Sequence, residues 1–192
     1  LDAGYAAQVR SLVLLKNAGN VLPARPEIKL YVENINKTVA GRYATLVDDP
    51  KAASLAIIKV NAPTWVYPYG GGFAVGRGGG GLPQGPTGRM GTLAYTGAAN
   101  ENELNAIKKL ASTGVPVVVA VSMDRPAILT EFLDEVAAVF ANFGASDAAL
   151  LDVVFGKHSP AGKLPFDLPA DMPSVMAQAA DVPFDYGEPL FK

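Results

Sequence analysis

Apolar residues along this chain follow two rhythms, and the rhythms alternate. IKLYVE (28–33), LAIIKV (55–60), VPVVVAV (115–121) and VAAVFAN (136–142) are short, β-branched-rich runs that read as strands; the longest are apolar almost throughout, as in strands covered on both faces. Between them, ENELNAIKKLAS (101–112) carries Leu104, Ile107 and Leu110 at helical spacing, with its acids early and its lysines late, as a helix dipole favours. Residues 2–16 place Tyr5, Val9, Leu12, Val13 and Leu15 at roughly helical spacing and predict an amphipathic helix, stopped by Asn17-Ala18-Gly19-Asn20. A helical turn near 36–42 and a brief strand at 44–47 follow the first strand. Asp124 is placed to cap a helix with Pro126 in its first turn, running to about Glu135. Ser146 or Asp147 opens a last helix that ends at Gly156, and 157–192 reads as a Pro- and Gly-rich extended tail packed on the domain.

Strands alternating with helices predict an α/β fold. The expected form is an open, mostly parallel sheet of about five strands with helices on both faces, a flavodoxin-like three-layer sandwich. The 192 residues suit one domain with a long insertion, and 49% hydrophobic residues suffice for one core. The formal net charge of −2 leaves no electrostatic footprint for nucleic acid, and no apolar run approaches the roughly 18 residues of a membrane span. With no cysteine and one histidine, thiolate chemistry is excluded and a multi-His metal site cannot form, so neither metal nor cofactor is expected. The chain opens on Leu1 and reads as processed or as a piece of something longer. Asn36-Lys37-Thr38 fits a glycosylation acceptor, a pattern common by chance.

The stretch GGGFAVGRGGGGLPQGPTGRMG (70–91) is half glycine and holds no Asp, Glu or His. Gly76-Arg77-Gly78-Gly79-Gly80-Gly81 formally matches GxGxxG. A dinucleotide fingerprint, however, must follow a strand tightly and open a helix, and here Leu82-Pro83-Gln84-Gly85-Pro86 comes next. A linker fits poorly, because the flanking elements belong to one alternating pattern. What remains is a mobile loop, about 61–100, on the carboxyl edge of the sheet, where ligands of parallel sheets bind. Trp65, Tyr67, Tyr69, Arg77 and Arg89 suit sugar recognition through ring stacking and hydrogen bonds to hydroxyls; the bland alternative is that the rings pin the loop to the core. His158 reads as a surface residue, Asp124 as a cap, Glu101 and Glu103 as first-turn acids, and Asp171, Asp181 and Asp185 as turn residues.

SLVLLKNAGNVLP (11–23), VVFGKHSPAGKLPFDLPADMPSV (153–175) and DVPFDYGEPLF (181–191), in this order, resemble the opening, late and closing segments of the C-terminal domain of family 3 glycoside hydrolases, the β-glucosidase and β-xylosidase group. VPVVVAVSMDRPAIL (115–129) and VAAVFANFGASDAALLDVVFG (136–156) fit its middle. The resemblance covers essentially the whole chain. It implies a preceding TIM-like barrel that carries an Asp nucleophile, and a loop from this domain that overhangs the active site, often bearing a Glu acid/base. The sequence departs at that loop: residues 61–100 contain no Asp or Glu. Gly91-Thr92-Leu93-Ala94-Tyr95, where an acid is expected, offers Thr92 and Ala94, and the first carboxylates afterwards are Glu101 and Glu103.

The resemblance therefore implies one domain of an exo-acting, retaining β-glycosidase acting on β-linked oligosaccharides or glycosides. The nucleophile sits on a barrel partner, Glu101 and Glu103 are the acid/base candidates, and Trp65, Tyr67, Tyr69, Arg77 and Arg89 are the substrate-binding candidates. The isolated chain is expected to be inactive, and secretion or a periplasmic location stands ahead of the cytoplasm. The competing expectation is a carbohydrate-binding or structural partner that has lost the acid. A free-standing flavodoxin-like signalling or cofactor domain is the third, disfavoured by the tail motifs.

Overall fold

The computed structural model of the chain describes residues 2–64 and 92–178. Its strands are β1 (Leu12–Asn17), β2 (Lys29–Glu33), β3 (Thr45–Leu46), β4 (Leu55–Asn61), β5 (Val117–Ser122) and β6 (Ala138–Asn142). They form one sheet in the order β1-β6-β5-β4-β2-β3, parallel at every pairing except the antiparallel β1 and β6. The helices are α1 (Asp2–Arg10), α2 (Lys37–Ala40), α3 (Glu101–Ala111), α4 (Asp147–Val154) and α5 (Met172–Gln178).

The unbroken apolar strands are explained by cover on both faces. Ile57, Val118 and Phe140 point into one core with Val9 of α1, Ala40 of α2 and Leu150 and Leu151 of α4. Their chain neighbours Ile58, Val119 and Val139 point into the other, against Leu104 and Ile107 of α3 and Leu129 and Phe132. The pleat sends successive side chains to opposite faces, so a strand between two layers favours apolar residues at nearly every position. Each fully buried Ile or Leu here contributes about 1.5–3 kcal/mol.

Three expectations need correction. The predicted helix over 2–16 stops at Arg10, and Leu12–Asn17 is a strand. Leu12 and Val13 alternate between the two cores as they pair with Asn142 and Ala141 of β6; an apolar run such as LVLL satisfies either periodicity, and the open edge of β6 decides it. The predicted helix from Asp124 does not form; only Leu133–Glu135 takes a 3-10 turn. Its groups bind elsewhere: the Ile128 N–H donates to the Leu93 carbonyl at 2.8 Å, and Glu131 accepts from the Tyr95 and Thr96 N–H groups. Finally, the tail is not wholly extended, since it includes α5.

The extended part of the tail explains its Pro-Ala-Gly pattern. Gly162 donates its N–H to the Leu12 carbonyl at 3.2 Å, and a Cβ there would lie 2.5 Å from that oxygen and 2.9 Å from Arg10 O. Only glycine lets this backbone cross β1 so closely. Leu168, a few residues on, is fully buried against the α3 side of the sheet.

Candidate functional site at the carboxyl edge of the sheet

The parallel strands end side by side at Glu33, Asn61, Ser122 and Asn142. Outside these ends lies an open cleft of about 370 Å³, lined among others by Asn61, Thr64, Ser122, Asp124, Asn142 and Gly144. Gly144, at φ 91°, turns the chain away from β6. Asn142 is buried and shapes that turn with both ends of its amide: Oδ1 accepts the Ala145 N–H at 2.7 Å and Nδ2 donates to the Ala145 carbonyl at 3.2 Å. Beside it Lys59 pairs with Asp147, whose other oxygen accepts the Asn36 N–H at 2.9 Å.

One wall of the cleft is a polar clamp around residues 61–64 and 92–97. Glu103 accepts from the backbone N–H of Asn61 at 2.5 Å and from its Nδ2 at 3.1 Å. Asn100 holds the N-cap position of α3, yet its side chain makes no capping bond. Its Oδ1 instead accepts the Thr64 N–H and hydroxyl at 2.7 and 3.0 Å, while Nδ2 donates to the Ala62 carbonyl at 3.2 Å. The hydroxyl of fully buried Tyr95 donates to the Asn61 carbonyl at 2.8 Å; burial, with the nearby Glu103 and Glu131 charges, drives its pKa up. Arg125 Nη2 donates to the Pro63 carbonyl and, at 3.1 Å, to the Thr92 carbonyl. Glu131 accepts the Tyr95 and Thr96 N–H groups at 2.5 and 3.0 Å. Glu101 accepts the Gly97 N–H at 3.0 Å.

Glu101 and Glu103, the acid/base candidates, thus lie half-buried on the first turn of α3, each holding backbone N–H groups. Trp65, Tyr67, Tyr69, Arg77 and Arg89 lie outside the described residues. Asp124 is exposed in the cleft, and His158 is exposed with its backbone N–H on the Asp152 carbonyl at 3.3 Å. Sequence reasoning places Asn61 at the carboxyl end of a strand but misses Asn100 and Glu131. An Asn just before a helix reads as a cap, and Glu131 was hidden inside a helix that does not form. Among the described residues no group of three or more His, Cys, Asp or Glu could hold a metal ion, and no helix is long and apolar enough to cross a membrane.

The most perturbed carboxylate serves the fold. Asp152 on α4 is 8% exposed and accepts the Tyr5 and Tyr43 hydroxyls at 2.5 and 2.6 Å and Lys157 Nζ at 2.9 Å. Burial alone would raise its pKa, but the bonds from Tyr43, Tyr5 and Lys157 outweigh it and hold the carboxyl at about 2. Burial and the same bond push Tyr43 up to about 12. Lys157 also sits over the Tyr43 ring, 4.2 Å from its centroid.

A doubly covered, mostly parallel sheet with a polar cleft at its carboxyl edge defines an open α/β domain, a class in which ligands generally bind outside the strand ends. Residues 47–191 match the Glycosyl hydrolase family 3 C-terminal domain, and the chain belongs to that family. It is 39% identical over 193 residues to a probable beta-glucosidase C of Aspergillus flavus, covering 98% of this chain and 28% of that protein. It is 37% identical over 186 residues to a periplasmic beta-glucosidase/beta-xylosidase of Dickeya chrysanthemi, covering 96% of this chain and 26% of that protein. Among solved structures, the beta-glucosidase of Listeria innocua in complex with glucose has the same fold, with a TM-score of 0.65 at 17% identity over 91% of this chain and 28% of that one. The chain therefore spans between a quarter and a third of the length of these relatives.

Proposed function

We propose that this chain is the second domain of an exo-acting, β-glucosidase-like glycosidase that removes terminal β-linked sugars with retention of configuration. The observation that carries this reading is the near-complete alignment with longer beta-glucosidases, which leaves room for a further domain in the same enzyme. That further domain is a TIM-like barrel supplying the Asp nucleophile. Retention needs two carboxyl groups about 5–5.5 Å apart across the scissile bond, one to attack the anomeric carbon and one to protonate the leaving oxygen and then activate water. This chain contributes the wall of the site through the carboxyl-edge cleft and the segment between Thr64 and Thr92. Trp65, Tyr67, Tyr69, Arg77 and Arg89 of that segment contact the sugar. Glu101 and Glu103, the first carboxylates after that segment in the sequence, are the acid/base candidates of this chain. By itself the chain hydrolyses nothing, and the enzyme works outside the cytoplasm, as the name of the Dickeya relative says of that protein.

A second reading is favoured by one specific observation. Residues 61–100 hold no acid, and Glu101, Glu103 and Glu131 are all occupied with backbone N–H groups. The domain is then a sugar-binding or structural partner without a proton donor. The discriminating experiment assays the full-length polypeptide containing this chain against an aryl β-glucoside and titrates it with cellobiose. Turnover of cellobiose, whose leaving group needs protonation, supports the enzyme reading; cellobiose binding without turnover supports the second.

A further inference from the structure

We propose that Arg125 is a positioning residue for the proposed hydrolysis: it ties together Pro63 and Thr92, which flank residues 65–91 in the sequence. The inference rests on the glycosidase reading for its kinetic consequence and on geometry alone for the clamp.

Arg125 stands three residues beyond the end of β5, in the run that the sequence predicts as helix and that instead lies along residues 92–96. Its Nη2 donates to two carbonyls from distant parts of the chain, Pro63 on one side of the segment and Thr92 on the other. Pro63 and Thr92 are both buried, so water is a poor substitute donor for either oxygen. A guanidinium is a rigid planar fork of donors and always charged, which fixes both acceptors relative to one plane. Other contacts also join the two flanks, but through residues farther along the chain than Thr92: the Ala99 N–H donates to the Thr64 carbonyl at 2.7 Å, and Glu103 grips Asn61. Asn100 holds Thr64, and Glu131 holds Tyr95 and Thr96. Tyr95 also reaches Asn61, but further from the segment. Arg125 bridges the flanks closest to it, two residues before its start and one after its end. The proposed substrate-binding residues all lie between Pro63 and Thr92 in sequence, and a misplacement of about 1 Å in a positioned group can cost about 10²-fold in rate.

The test uses the full-length polypeptide with Arg125→Ala and Arg125→Lys. Arg125→Ala is expected to lower kcat on an aryl β-glucoside by about 10²-fold per folded molecule, with a much smaller change in KM, and millimolar guanidinium is expected to restore part of the loss. Arg125→Lys is expected to fold, so it carries the second readout should the Ala variant fail to. In it, backbone amides at 93–96 should exchange faster with solvent while β5 and β6 keep their protection. Wild-type kcat in Arg125→Ala, or unchanged exchange at 93–96 in Arg125→Lys, would overturn the proposal. If the wild type itself hydrolyses nothing, the glycosidase reading fails and the exchange measurement alone decides the clamp.

Discussion

Glu103 grips Asn61 with both carboxylate oxygens, one on the backbone N–H at 2.5 Å and one on the side-chain amide at 3.1 Å. This joins the first turn of α3 to the last residue of β4, across the two places between which the glycine-rich segment runs. The same carboxylate is one of the two acid/base candidates, and its two roles make different predictions. As a clamp, Glu103→Gln keeps the side chain's shape but loses an anionic acceptor, at a cost of about 1.5–3 kcal/mol, and slows activated and unactivated glucosides by the same factor. As an acid, it slows only those with poor leaving groups, by about 10²–10⁴-fold. The geometry predicts the uniform loss, measured as kcat/KM over a series of phenyl glucosides.

The absence of an acid from 61–100 leads to a prediction for the wild-type enzyme. If no group of this chain or the barrel donates a proton, a substrate whose phenol leaves without protonation is still cleaved and an alkyl glucoside is not. Turnover is expected to rise steeply with leaving-group acidity, over a range of about 10²–10⁴. A flat dependence would mean that a proton donor operates, from Glu101, Glu103 or the barrel.

Asp152 gives the fold a defined acid limit. Its carboxyl is held at about 2 in the folded chain, below its ordinary value, so folding favours the ionised form. Its contribution is complete above the unfolded pKa near 4 and is lost as pH falls through about 2. Tyr43, pushed up to about 12, acts with the opposite sign: its contribution holds below pH 10 or so and is lost as pH rises through about 12. Asp152→Asn should lower the urea midpoint at neutral pH, and its gap from wild type should shrink by about 2 kcal/mol on acidification. An undiminished gap at low pH would contradict the ionised network.

Two glycines with opposite surroundings test the packing of the tail. A Cβ at Gly162 would meet the Leu12 and Arg10 carbonyls, backbone atoms that cannot swing aside. Gly162→Ala should cost about 1–3 kcal/mol. Gly4, within α1, faces open space, with nothing within 4 Å of where a Cβ would stand, and Gly4→Ala should raise stability by up to about 1 kcal/mol through helix propensity. Thermal melts of the two variants give the comparison.

The buried strands were legible because burial on both faces leaves β4, β5 and β6 largely apolar until their carboxyl ends, α3 because of its apolar stripe and charge order, and α4 because its Ser146 cap is a local signal. β1 was not, since LVLL fits either period until the free edge of β6 is known. The run from Asp124 misled for a related reason. Asp-Arg-Pro reads as a helix start, but Arg125, Ile128 and Glu131 bind the chain at 92–96, thirty-odd residues earlier in sequence. The clamp is long-range in the same way: nothing local marks Asn100 as the holder of Thr64 rather than the cap of α3. The aromatic and arginine candidates of the segment lie outside the described residues, so their assignment rests on the chemistry of their side chains.

The central claim is tested most directly by the anomer released first. The full-length polypeptide would be mixed with an aryl β-glucoside in deuterium oxide and the anomeric proton of the product followed by NMR from the earliest turnovers. β-Glucose appearing first, followed by mutarotation to the α form, is the predicted result of double displacement through a barrel Asp. α-Glucose appearing first, or no glucose at all, would contradict the account.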